Sequence, residues 1–290
     1  MASQGDAIPC TVFLPVELGD VATDPPPGEL LFDYAPGWRM WISRVADRYL
    51  VRYAGHYDFV IDCDFTIVRT IESSVATPGF AEVLQYGAVL AVINSLRGRY
   101  CLHATTIEVS GRGAAIYGNS GQGKSTTAAL MIAAGANLVA DDVTVLRPRT
   151  PATVYPGLLE LRLRQTAEDI AALVGGAKRR ETVDHRIGLR PSVDPPTDGV
   201  DLAVGLFPIP TRGAEKVVLE RMSPFEAITS LIPSARLVGW IDPAIQAREF
   251  EAVGELAETL PCYRMKVPWG PPFERALAVE LFDRVVDLVG

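Results

Sequence analysis

The most constraining feature of this chain is the run Gly118, Asn119, Ser120, Gly121, Gln122, Gly123, Lys124 and Ser125, followed by Thr126. It fits G-x-x-x-x-G-K-[ST] without departure. Glycines at these positions let the backbone curl until successive N–H groups face a common point, where phosphate oxygens can be held. Lys124 adds a compact positive charge for the β and γ phosphates, and the Ser125 hydroxyl is a ligand type for Mg2+. The flanking sequence supplies the required setting. Ala114 to Tyr117 reads as a short buried strand, and Lys124 to Ala134 as a helix stopped by Gly135 and Asn137. Strand, loop and helix in that order form a phosphate-binding unit, and the helix brings its positive end to the same point. A chance glycine-rich turn would need none of this context. The chain is therefore expected to contain a mixed α/β domain that binds a nucleoside triphosphate such as ATP through residues 118–126.

Two acids come next. Asp141 and Asp142 follow the apolar Leu138, Val139 and Ala140, so they should stand at the carboxyl end of a strand, where α/β sheets bind ligands. Adjacent strand residues face opposite sides, so one carboxylate is expected toward a metal ion and the other toward an acceptor hydroxyl. Their repulsion would be relieved by Mg2+ and by Lys124. An acid that merely solvates a strand end is a fair reading of either one alone and a poor one of both. Leu102 to Val109 reads as a strand carrying His103. On spacing alone, a lone strand histidine is more often a hydrogen-bonded core residue than a catalyst. No histidine or cysteine spacing supports a metal site built from those residues.

Elsewhere the patterning sets the organisation. The runs Met40 to Val45, Tyr49 to Tyr53 and Phe59 to Val68 alternate in a β-like way. They predict a small antiparallel sheet within residues 1–78, with His56 at a turn. A helix opened by Thr77 and running to about Leu96 is expected to connect this segment, over 79–98, to a phosphate-loop domain spanning 99–290. In that domain Gln165 to Val174, Pro224 to Leu231, Ile245 to Leu260 and Phe273 to Val289 read as helices. Leu202 to Ile209 and Lys216 to Met222 read as strands. The polar stretch from Gly175 to Asp201, with Lys178, Arg179, Arg180, Arg186 and Arg190, reads as a mobile basic loop.

Composition removes several function classes. Of 290 residues, 48% are hydrophobic and 21% charged, which excludes wholesale disorder. A net charge of −8 argues against a general nucleic-acid binder. The best membrane candidate, Phe80 to Leu96, is interrupted by Glu82, Gln85 and Asn94 and falls short of the roughly 20 apolar residues a spanning helix needs. The N-terminus shows no basic region followed by an apolar stretch. The four cysteines stand far apart without a C-x-x-C pair, so free thiols and a cytoplasmic setting are expected.

Leu102, His103 and Ala104, then residues 118–125, then Leu138 to Asp142 together resemble the bacterial HPr kinase/phosphorylase family. His103 precedes Lys124 by 21 residues and Asp141 follows it by 17, as in that family. The resemblance is clear over about residues 100–150 and weaker over about 80–235. It implies a fold related to ATP-dependent phosphoenolpyruvate carboxykinase, with ATP and Mg2+ as cofactors. It further implies Asp141 as base, Lys124 as a catalytic residue, Ser125 and Asp142 as metal ligands, and His103 as the residue tuning the base. Asn119 stands where the family usually has aspartate and Ala104 where it has glycine, and the glycine-rich signature of the bifunctional enzymes is missing. These departures remove the support for phosphorylase activity and for HPr as acceptor. The layout looks more like the HPr-kinase-like proteins of peptide-tailoring clusters, including those that phosphorylate the C-terminal serine of lasso peptide precursors. The partner implied is a peptide or protein bearing a serine hydroxyl, and a homo-oligomer is left open. The competing readings are a P-loop ATPase, which lacks here a distant Asp-Glu strand and a Leu-Ser-Gly-Gly signature, and a non-catalytic module that binds nucleotide.

Overall fold

The computed structural model describes residues 10–119, 121–147, 150–193, 198–270 and 272–290. The chain divides into two compact units. One extends to Ile93 and also includes Leu237–Gln246; the other comprises Asn94–Arg236 and Ala247–Gly290.

The first unit is built on an antiparallel meander. Strands Glu29–Tyr34, Met40–Val45, Arg48–Tyr53, Tyr57–Asp62 and Ile67–Glu72 pair in succession, and Val12–Phe13 and Glu17–Leu18 add to the last of them in parallel. The expected single run from Phe59 to Val68 is two strands. The Asp62 carboxylate accepts hydrogen bonds from the Thr66 and Ile67 amides at 2.7 and 3.2 Å, closing a turn in which Phe65 has a φ of 58°. An aspartate bonding forward to the backbone offers it an alternative to the ladder, which is how such residues initiate turns. His56 lies in a turn as expected and stacks on Trp38 at 4.7 Å. Leu237–Gln246 joins this unit through backbone bonds from Asp33 to Gly239 and from Ile241 to Leu31. An edge-to-face contact of Trp240 with Phe32 at 5.2 Å accompanies them. The helical stretch beginning at Phe80 contains one π turn, Gln85–Val89, whose buried Gln85 amide donates to Thr70 Oγ1 at 2.8 Å.

The second unit is a mixed α/β fold around a long strand, Val200–Thr211. Arg112–Tyr117 runs parallel to it on one side and Cys262–Pro268 parallel on the other. Ala104–Val109 and Asn137–Ala140 extend the sheet antiparallel beyond Arg112–Tyr117. The start of the long strand pairs with Thr153–Tyr155, which leads through Thr144–Arg147 to Tyr100–Leu102. Alternation along Arg112–Tyr117 separates two cores. Ala114 and Ile116 face the core that receives helices Lys124–Ala133 and Arg275–Val289, while Ala115 and Tyr117 face the core that receives Leu231, Val253 and Leu256. Both faces being covered explains why this strand reads as a continuous apolar run.

Three expectations need correction. Leu102 to Val109 is not one strand: it breaks at His103, whose amide donates to Ser234 O at 2.7 Å instead of to a ladder. Leu138 to Leu146 likewise breaks, at the acid pair. The basic segment expected as a mobile loop contains a hairpin. Lys178–Glu181 pairs with Ile187–Arg190, which pairs in turn with Leu161–Leu163. The hairpin is tied down by its own charges, because Arg180 makes a two-pronged contact with Glu160 at 2.7 and 2.8 Å. A further strand, Cys262–Pro268, lies outside the expected elements although Tyr263, Met265 and Val267 alternate with Arg264 and Lys266 along it.

Candidate active site

The loop leaves Arg112–Tyr117 at Gly118 and enters the Lys124–Ala133 helix through Gly123. Gly121 and Gly123 have φ of 88° and 89°, a region that side chains avoid. Gly123 is confined a second way: a Cβ there would lie 2.6 Å from the Trp269 ring. Gln122 Oε1 accepts from the Asn119 amide at 2.6 Å, pinning the turn from within. Ser120 lies outside the described residues. Lys124 Nζ reaches back along the loop to Gly118 O at 2.7 Å. Burial lowers its pKa from the ordinary lysine value, while the charges of Asp142 and Asp141 oppose that shift.

The two acids differ sharply in what they touch. Asp141 is buried, and its Oδ1 accepts from Thr105 Oγ1 at 2.6 Å and from Ser125 Oγ at 3.2 Å. Its Oδ2 accepts from the Arg162 amide at 3.2 Å. Burial raises its carboxyl pKa, and the donors around it act against that rise. Asp142 turns to another partner set. Arg236 Nη2 donates to its Oδ2 at 3.0 Å, and His103 Nδ1 lies 3.4 Å from its Oδ1. Burial alone would raise the Asp142 pKa, but the charges of Arg236, His103 and Arg162 hold it at about 2. His103 is lowered to about 4, chiefly by burial, with Lys124 and Arg236 adding to the effect.

The expected alternation of the acids to opposite faces does not hold. The strand ends at Ala140 and Asp142 takes a φ of 66°, so both carboxylates line one cavity. That cavity, of about 290 Å³, also receives His103, Lys124, Ser125 and Thr126 together with Gly121 and Gly123. Gly118, Asn119 and Gln122 shape the loop behind it. The resemblance implies Ser125 and Asp142 as metal ligands and Asp141 as base; in the structure Ser125 Oγ donates to Asp141 and His103 lies against Asp142.

The cavity contains more cations than the motif announces. Arg162, Arg164 and Arg186 line it. Arg162 and Arg186 are held by Asp184, the latter at 3.1 Å. Of the basic segment singled out in the sequence, only Arg186 thus reaches the site. Thr105, Arg164, Arg236 and Trp269 carry no sequence signal. Thr105 stands at the start of the strand Ala104–Val109, where Ala104 pairs with Tyr117 at the entry to the loop.

The residues present fit a magnesium–triphosphate group. The Nε atoms of Arg162 and Arg236 are buried without a partner among the described residues, an arrangement that an anion would complete. Ser125 and Asp141 bring one hydroxyl and one carboxylate together. No cluster of three or more histidine, cysteine or acidic side chains suited to a metal occurs among the described residues. So sparse a protein donor set matches Mg2+, which keeps waters and takes phosphate oxygens, and does not match a metal held by protein alone.

Residues 94–163 match the family model described as HPr Serine kinase C-terminal domain, and this stretch is HPr-kinase-like. The match contains His103, the phosphate loop and both acids. A solved structure described as the Hpr(Ser) kinase/phosphatase from Coxiella burnetii is 14% identical, with a TM-score of 0.32, covering 65% of this chain and 90% of that one. No curated protein matches. Among the described residues no helix is long and apolar enough to cross a membrane.

Proposed function

We propose that this chain is an ATP- and Mg2+-dependent kinase that transfers the γ-phosphoryl group to a serine-type hydroxyl on a peptide or protein. The observation that carries this reading is the division of labour between the two acids inside one cavity beside the phosphate loop. The kinase family match over residues 94–163 gives it its reaction class.

Bound in the loop, magnesium ATP would supply the transferable group and neutralise its developing charge. The loop amides and Lys124 would hold the β and γ phosphates, which requires Lys124 Nζ to exchange Gly118 O for a phosphate oxygen. Ser125 and Asp141 would hold the cation, since they already lie 3.2 Å apart. Asp142 would then orient the acceptor hydroxyl and take its proton. A carboxylate held near 2 is a weak base, yet phosphoryl transfer depends mainly on positioning and on electrostatic stabilisation. His103 and Arg236 fix that carboxylate from two sides. Arg162 and Arg186 lie where they can stabilise charge on the group in transit.

The roles of Asp141 and Asp142 are proposed in the reverse of those the family resemblance implies, because geometry takes precedence over a depressed or raised pKa in choosing a base. A short peptide ending in serine, of the lasso precursor kind, is the first substrate to try, and a reducing cytoplasmic setting accords with four free cysteines. The test is incubation with γ-labelled ATP and candidate acceptors, followed by mass spectrometry. One added phosphate on a serine, lost in Asp142→Asn, supports the reading; nucleotide retention or hydrolysis without transfer to any acceptor defeats it.

A further inference from the structure

The lining of the cavity beside the phosphate loop combines the acids, His103 and Lys124 with the apolar side chains of Leu163, Ala167, Ile170, Trp269 and Phe273. In a loop of this kind the lysine serves the β and γ phosphates, while the backbone amides cradle the α and β phosphates. A triphosphate held there would place its γ end at Lys124 and leave whatever is attached to its α end free to reach the apolar part of the lining.

Trp269 is held in place by three independent contacts. Its amide donates to Thr211 O at 3.1 Å, directly after the Cys262–Pro268 strand. Its ring meets Phe273 edge-on, with centroids 5.1 Å apart and planes at 79°. The rim of its six-membered ring rests on Gly123, so closely that no Cβ would fit between them. Phe273 is itself anchored, because its amide donates to Asp169 Oδ2 at 3.0 Å. Trp269 is nonetheless only partly buried and lines the cavity. A rigid, partly exposed indole that lines the cavity and rests on a loop glycine is the kind of platform on which a nucleobase stacks.

We propose that Trp269, with the apolar wall beside it, is the nucleobase subsite of this chain. It selects a nucleoside triphosphate over a bare polyphosphate. This rests on the reading of the loop as a triphosphate site, and the test separates the two.

The experiment measures binding of ATP and of inorganic tripolyphosphate, each with Mg2+, to the full chain and to Trp269→Ala and Trp269→Phe. The wild type should bind ATP more tightly than tripolyphosphate. Trp269→Ala should weaken ATP about tenfold, in line with the stacking increments seen for single bases, and leave tripolyphosphate within about twofold. Trp269→Phe should keep most of the ATP affinity. ATP, and not tripolyphosphate, should quench a part of the tryptophan fluorescence that Trp269→Phe lacks. Equal weakening of both ligands by Trp269→Ala would make the indole a support for the loop and overturn the subsite. Tripolyphosphate binding without preference for ATP would overturn the subsite and leave the loop reading standing. A wild-type chain that binds neither ligand would overturn both.

Discussion

Arg236 donates to Asp142 Oδ2 at 3.0 Å across 94 residues of sequence. This contact makes the second acid of the pair different from the first. It fixes one oxygen of Asp142, and His103 faces the other. Asp141, one residue earlier, has neither partner and is given instead to Thr105 and Ser125.

Replacing Arg236 with methionine should therefore act through Asp142. Removing the guanidinium takes away the charge that chiefly opposes burial in setting the Asp142 pKa, so that pKa should rise from about 2. The His103 pKa should rise as well, because Arg236 helps to depress it. Phosphoryl transfer should fall by roughly 100- to 1000-fold, the range seen when one preorganised donor is lost. The acid limb of the kcat profile should move to higher pH. A variant with wild-type kcat and an unmoved acid limb would remove Arg236 from the site.

The two acids should separate kinetically. Asp142→Asn should lower kcat by about 100-fold or more with little change in ATP affinity, as expected on loss of a group that takes a proton. Asp141→Asn should instead raise the Mg2+ concentration needed for half-maximal rate. A magnesium titration of both variants checks this, and a raised magnesium requirement confined to Asp142→Asn would reverse the assignment.

Lys124→Ala should abolish detectable binding of tripolyphosphate. The lysine is the only side-chain cation supplied by the motif itself, and its loss leaves the loop without a charge aimed at the β and γ phosphates. Isothermal titration with tripolyphosphate measures it directly; retained affinity would show that the arginines, and not the loop lysine, hold the anion.

Acid should destabilise the fold in a window set by His103. Its folded pKa of about 4 lies below the ordinary histidine value of 6.5, so the unfolded chain binds more protons between those two pH values. The stability gained by keeping His103 neutral is complete above the upper value and is lost as pH falls toward the lower. Urea unfolding of wild type and His103→Gln at pH 7 and pH 5 should show a smaller loss in the variant. Equal losses would place the acid sensitivity elsewhere.

The approach of Arg236 depends on the helix just before it. Ser223 caps Pro224–Leu231: its Oγ accepts from the Glu226 amide at 3.3 Å, and the Glu226 carboxylate accepts in return from the Ser223 amide at 2.9 Å. Ser223→Ala should cost about 1 kcal/mol, the usual value of such a cap. Equilibrium urea denaturation at neutral pH checks it, with the midpoint shifted and the slope unchanged.

The amino-acid order by itself determined the phosphate loop, its strand and helix, and the presence of two acids nearby. Each of these is a local property: glycines permit the curl, an apolar run demands burial, and the Lys124–Ala133 helix follows from residues next to one another. The capped helix at Pro224 was legible for the same reason. Which of the two acids meets Ser125 was decided only by folding. A left-handed φ at Asp142 and an arginine 94 residues away turned the second carboxylate from the face that strand alternation predicts. Arg236, Arg164 and Trp269 reach the site from separate elements, and the charges that read as a loose loop became a paired hairpin once Glu160 was beside Arg180. Such contacts join residues distant in sequence, and their energies exist only after the chain has brought the partners within reach.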